Sequence, residues 1–151
     1  STIRNLARRI KGLDEETDTI RTQLGVLVDT VAPSLLELYG IGPETAAELL
    51  VAAGDNPHRI RSEAAWAHLC GVAPIPASSG KTIRHRLNRG GNRQANAALY
   101  RIVLTRMSSE PRTRNYVTRR RDEGLGTKEI IRVLKRYVAR EVYKHLPRYS
   151  T

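Results

Sequence analysis

Apolar side chains recur at Ile3, Leu6, Ile10, Leu13, Ile20, Leu24, Leu27 and Val31 in alternating steps of three and four, with Thr17 the one polar interruption. A stripe of two positions in seven, kept up from end to end of this stretch, predicts a long helix over residues 1–32. The stripe is narrower than packing on a globular domain normally uses, so it reads as a coiled-coil seam that joins a second copy of the chain or a partner helix. Arg4, Arg8, Asp14, Glu15 and Arg21 fall on the outer positions.

Beyond residue 32 the period stays helical, but the segments shorten. Pro33 and Gly40 bracket a short helix, Ser34 to Tyr39, and Gly40-Ile41-Gly42-Pro43 then makes a tight turn into a helix with small residues at Ala46 and Ala47. Glycines supply the turn and Pro43 suits a first helical turn. Residues 35–53 resemble a helix-hairpin-helix motif, in which Gly40, Gly42 and the next helix N-terminus would offer backbone N–H groups to a DNA phosphate. Gly54-Asp55-Asn56-Pro57 ends that helix, with Gly54 at its C-terminal cap and Pro57 beyond, and Ser62 caps a short one whose apolar side is Trp66, Leu69 and Cys70. Pro74 and Pro76 exclude helix and predict an extended lead. Asn92 opens a helix with Ala95, Ala98, Leu99, Ile102, Val103 and Met107 inside and Arg93, Arg101 and Arg106 off the stripe. Thr127 caps the last, with Ile130, Ile131, Leu134, Val138 and Val142 inside. No alternating strand pattern occurs, so the expected class is all-α, with a compact helical domain over 33–151.

Charge sharpens this picture. Residues 1–80 hold 7 Lys and Arg against 10 Asp and Glu, whereas residues 81–151 hold 19 against 5. A surface this basic and this one-sided expects a polyanion, and nucleic acid above all, bound with strong salt dependence. No aromatic or aliphatic run accompanies the basic residues, which argues against a membrane surface. A lone cysteine, Cys70, excludes an intrachain disulfide; with no apolar run of membrane-spanning length, the expected setting is the cytoplasm. The chain opens at Ser1 directly in a helical pattern, which reads as a piece of a longer polypeptide.

Candidate chemistry gathers in residues 74–93. Ser78 and Ser79 stand beside Gly80, followed by Lys81, Arg84, His85, Arg86, Arg89 and Arg93. Guanidinium forks and an ammonium match phosphate oxygens, so this is a candidate nucleophile in a cationic loop. A serine at its ordinary pKa is weak without a base, a metal or strong charge stabilisation, and the basic residues supply only the last. Taken as residues alone, the two hydroxyls are more simply turn caps for the N–H groups of Lys81 or Thr82. His85 is as much a phosphate contact as a proton carrier. No Walker loop, zinc spacing or dinucleotide fingerprint is present, and no carboxylates cluster near the serines, so no metal site is expected in this chain.

The series Gly40-Ile41-Gly42-Pro43, Ala73-Pro74-Ile75-Pro76-Ala77-Ser78-Ser79-Gly80-Lys81 and Arg89-Gly90-Gly91-Asn92-Arg93 resembles the C-terminal domain of the one-ten family of insertion-sequence transposases. Arg112-Thr113-Arg114 and Lys135 to Glu141 resemble its actinobacterial branch. The resemblance implies a DNA recombinase in two parts: a nuclease-like half with a DEDD carboxylate set holding magnesium, and a coiled-coil-linked half carrying a catalytic serine. That serine directly precedes Gly in the family, which places it at Ser79 with Ser78 in reserve. It further implies DNA as substrate, a guide RNA and a homo-oligomer. The DEDD half is absent here, so this chain alone is expected to bind nucleic acid without cutting it. Two other readings remain: a non-catalytic helix-hairpin-helix binding module, and an oligomerisation domain.

Overall fold

The computed structural model describes residues 1–79, 82–86 and 91–147, and for 75–79 and 82–86 it describes the backbone alone. Six α-helices follow one another: α1 (Thr2–Val31), α2 (Pro43–Asp55), α3 (Glu63–Leu69), α4 (Arg93–Ser109), α5 (Pro111–Asp122) and α6 (Thr127–Tyr143). The class is all-α, as the periodicity predicts.

α4 is the axle. Its Ala95, Ala98, Leu99, Ile102 and Val103 are fully enclosed, with α2 on one side, α6 on another and α5 folding back along it. Small residues at Ala95 and Ala98 let the neighbours come close. α3 lies on α6, where the fully buried Trp66 donates its indole N–H to the carbonyl of Ala139 at 3.1 Å. Leu35, Leu49, Ile130, Val138 and Val142 complete one continuous core.

α1 departs from that compactness. Of the expected seam, Ile3, Leu6, Ile10, Leu13, Ile20, Leu27 and Val31 are all more than half exposed. The helix docks instead by a second stripe at its C-terminal end. Val28 is buried, Gly25 lets the Pro43 ring approach to 3.6 Å of where a Cβ would stand, and Arg21 pairs with Glu44 of α2 at 2.9 Å. Positions 21, 25 and 28 recur at helical spacing beside the seam, so one helix carries two adjacent faces and the domain uses only the second.

Three local expectations change. Residues 35–53 fold as a 3-10 turn (Pro33–Glu37), the Gly40 turn and α2, so the first arm of the expected hairpin is too short for an α-helix. Inside the 74–93 stretch, β1 (Ile75–Ser79) pairs antiparallel with β2 (Thr82–Arg86). In a two-stranded ribbon both strands are edges, which is why Pro76, lacking an N–H, is accommodated opposite His85. Arg106 lies on the apolar stripe of α4 rather than off it and is 8% exposed. It donates to the Tyr39 carbonyl at 2.8 Å and to the Glu141 carboxylate at 2.9 Å, tying the Gly40 turn and α6 to the axle.

A charge in that position needs its partner. Glu141→Ala, which leaves the guanidinium enclosed without a carboxylate, is expected to lower stability by about 2–3 kcal/mol, less than for a fully buried pair because Glu141 is one-third exposed. Glu63→Ala, which opens the exposed pair with Arg140, should cost about 0.5 kcal/mol or less. Urea midpoints of the two variants check the difference.

Candidate functional site

The hairpin that carries the serines is held at its root by contacts that leave little latitude. The chain leaves α3, turns at Gly71 with φ +71°, runs out as β1 and returns as β2. It then re-enters the core at Gly91. A Cβ at Gly91 would stand 2.3 Å from the Cα and N of Gly71 and 2.9 Å from the carbonyl oxygen of Leu69, so no side chain fits there without moving backbone. Polar bonds lock the same crossing. Asn92 donates its N–H to the Leu69 carbonyl at 2.5 Å, and its side-chain oxygen caps α4 by accepting from Ala95 at 2.9 Å. Asn96, one turn on, donates its amide to the carbonyls of Cys70 at 3.0 Å and Gly71 at 3.3 Å.

Behind Asn96 stands Lys135 of α6, only 7% exposed, whose ammonium donates to the Asn96 side-chain oxygen at 3.2 Å. Burial, and then the positive charge of Arg132, lower its pKa. Through this chain of contacts α6 orients Asn96, and Asn96 ties the segment that leaves for the hairpin to the first turns of α4. Cys70 is enclosed at the same crossing, and burial pushes its thiol pKa up, which makes it a packing residue and not a nucleophile.

On the hairpin itself, Ser79 is paired with Thr82 and Ser78 with Ile83, at the end of the ribbon away from the root. Arg84 sits opposite Ala77, His85 opposite Pro76 and Arg86 opposite Ile75. Lys81 and Arg89 lie outside the described residues. Arg93 is exposed in the first turn of α4, at the foot of the ribbon. The sequence has no Asp or Glu anywhere from 64 to 109, so this segment carries its cations with no carboxylate of its own. The amino end of α4 adds its dipole in the same sense.

The Gly40–Gly42 turn is a separate place. Gly40 has φ +78°, and its Cβ would meet the Ile102 carbonyl oxygen at 3.3 Å, so this glycine is required by close packing on α4. Gly42 caps α2 with an extended backbone and nothing within 4 Å of its Cβ position. The turn therefore rests against residues 102–106, about 9–15 Å along the axle from Asn96 at 1.5 Å per residue. The structure does not bring it into one site with the hairpin. Glu44 also places a carboxylate in the first turn of α2, neutralised by Arg21, so an anion approaching there meets an ion pair first. Among the described residues no group of three or more His, Cys, Asp or Glu could hold a metal, and no described helix is long and apolar enough to cross a membrane.

Asn96, Lys135 and Arg106 have no place in the sequence reading of the site. Each falls on a face expected to be apolar or solvated, and what marks them is polar atoms on a buried stripe, visible only once the helices are packed.

A family model described as "Transposase IS116/IS110/IS902 family" matches residues 32–118, from the end of α1 into α5 and across the whole hairpin root. A Streptomyces coelicolor protein, "Insertion element IS110 uncharacterized 43.6 kDa protein", is 30% identical over 139 residues, covering 89% of this chain and 34% of the relative. The "Insertion element IS900 uncharacterized 42 kDa protein" of Mycobacterium paratuberculosis is 31% identical over 94 residues, covering 62% of this chain and 24% of that one. The chain thus spans about a third or less of the length of these relatives.

If the glycine crossing sets the hairpin, Gly91→Ala should lower stability by about 1–3 kcal/mol, the cost of overpacking. Gly42→Ala, with open space at its Cβ, should cost only the penalty of Ala at a helix N-cap, about 0.5–1 kcal/mol. Paired urea denaturation curves decide it.

Proposed function

The chain belongs to the transposase family described as IS116/IS110/IS902, and from that premise we propose that it is the DNA-binding, serine-bearing part of a recombinase. The observation that carries the reading is the hairpin. It holds two adjacent serines at the far end of a ribbon whose root is fixed on α4, inside a segment with no carboxylate and with Arg84, Arg86 and Arg93 in its described part.

In the proposed step, Ser79 Oγ bonds to the phosphorus of a DNA phosphodiester as the bond to a deoxyribose oxygen breaks. The serine proton passes to a base and the departing oxygen gains a proton. One phosphoester is exchanged for another, so no energy source is consumed and the strand can later be rejoined by the reverse step. Lys81, Arg84, Arg86, Arg89 and Arg93 hold the phosphate and offset the charge that gathers on it in the transition state, with His85 as a further contact. Ser78 stands in reserve as nucleophile. Gly40, Gly42 and the start of α2 make a second, separate phosphate contact, weakened by Glu44. The DEDD carboxylate set that would hold magnesium is proposed to lie in another part of the protein. Guide RNA is the second nucleic acid proposed for the basic surface.

The exposed seam of α1 is proposed to join copies of the protein, because seven large apolar side chains in one register are otherwise left to water.

Covalent trapping by the full-length protein with its guide RNA tests the chemistry: Ser79→Ala should abolish the protein–DNA adduct and Ser78→Ala should leave it. The opposite result moves the nucleophile to Ser78, and an adduct that survives both variants leaves a non-catalytic binding module. For assembly, the double variant Ile10→Asp, Leu13→Asp should lower the mass measured by light scattering to that of the single chain with the helical circular dichroism of the domain retained. An unchanged mass would remove the seam from the interface.

A further inference from the structure

A cleft of about 300 Å³ opens between α4, α5 and α6, lined by Arg106, Glu110, Arg112, Tyr116, Tyr137 and Glu141 among others. It is neither the serine hairpin nor the Gly40 turn. Its size is at the lower end of what takes a small ligand or one unit of a polymer. Tyr116 and Tyr137 meet edge to face, with ring centroids 6.0 Å apart and planes at 79°. The two rings differ in what covers them. Arg119 and Arg120 lie over Tyr116, at 5.4 and 5.9 Å from its centroid, whereas Tyr137 has Arg140 at 5.8 Å and is still 43% exposed.

The floor of the cleft is polar and partly spent. Glu141 accepts from Arg106, and Glu110 accepts from the buried Thr113 hydroxyl. A carboxylate has about four acceptor positions, so each has capacity left. Of the cations that line it, Arg106 is held by Glu141 and Arg140 by Glu63, whereas Arg112 pairs with no carboxylate among the described residues, nor does Arg119, which lies beside the cleft over Tyr116.

We propose that this cleft binds one unpaired nucleotide of a nucleic-acid strand, its base stacked on Tyr137 and its flanking phosphates on Arg112 and Arg119. A part-exposed aromatic ring beside guanidinium groups that pair with no carboxylate is the combination that single strands use. The carboxylate floor suits the N–H edge that an unpaired base exposes and a duplex conceals. An acidic peptide would match the rim but meet repulsion at the floor and leave the ring unused. The inference rests on the reading that the protein binds nucleic acid, and it assigns the α5–α6 surface to an unpaired segment, of RNA or of opened DNA.

The test uses the full-length protein and short fluorescent strands of one sequence, as single-stranded DNA, single-stranded RNA, blunt duplex DNA and a sugar-phosphate strand without bases. Tyr137→Leu should weaken single-strand binding about ten-fold and change duplex binding less than about two-fold, and Tyr137→Phe should bind as the native protein does. The native protein should also prefer the base-bearing strand to the baseless one about ten-fold, a preference that Tyr137→Leu removes. Tighter binding of RNA or of DNA then identifies the source of the nucleotide. Equal losses on single strand and duplex, or no loss, overturn the cleft while leaving nucleic-acid binding in place. Efficient displacement of the single strand by polyglutamate assigns the cleft to acidic protein and overturns it as well. A native protein that binds none of the four strands overturns the nucleic-acid reading and the cleft together. If Tyr137→Leu does not fold, Arg112→Gln gives the same decision, since it should weaken single-strand binding and lower its salt slope by about one.

Discussion

The contact between two backbones at Gly91 and Gly71 is the constraint on which the organisation of this domain depends. Because Gly91 carries no Cβ, the segment that returns from the hairpin crosses the Gly71 backbone at a separation that a side chain at 91 would prevent. That crossing lets α4 begin at the place where α3 ends. From there the axle can run through the core with α2 and α6 on its flanks. The Asn92 and Asn96 bonds then convert a close approach into a fixed one. They satisfy the carbonyls of Leu69, Cys70 and Gly71, which would otherwise lie unpaired at the edge of the core.

The electrostatics are arranged around the same axle. Most ion pairs here are surface contacts that contribute little singly, and they join neighbouring elements: Arg21 to Glu44, Arg101 to Glu48, Arg140 to Glu63. Two cations are different. Arg106 is enclosed and paired with the part-exposed carboxylate of Glu141, at the end of α4 near the Gly40 turn. Lys135 is enclosed with a neutral amide, at the end near the hairpin. The first is a matched charge that joins helices. The second leaves positive charge uncompensated beneath a segment that already lacks carboxylates, which raises the potential where a phosphate would approach.

Much of the fold could be read from the chain because its helices are amphipathic and punctuated: Asn92, Ser62 and Pro43 start helices where they were expected to. The hairpin could not, since five-residue strands with prolines at 74 and 76 show no alternation. The available sign was a Gly-Lys pair between two short runs that tolerate extension. Arg106 illustrates the other limit. Its position follows the stripe of Leu99, Ile102 and Val103, yet its type argues for solvent, and only the Tyr39 carbonyl and Glu141 decide between them. Of the site, the residue types and the Gly91-Asn92 pair were legible in the chain. The separation of the Gly40 turn from the hairpin was not, because it depends on which end of α4 each one meets.

Among the described residues α1 meets the domain through its last turns, at Arg21, Gly25 and Val28, while the seam side chains of its first twenty residues are more than half exposed. An arm anchored in this way behaves as a ruler with a phase. Its reach is about 30 Å at 1.5 Å per residue, and the direction its seam faces turns by about 100° with each residue gained or lost. Lengthening by whole heptads would extend the span and nearly preserve the facing, whereas other insertions would swing whatever grips the tip around the axis of the arm. Relatives of this chain can therefore be expected to differ in arm length by multiples of seven.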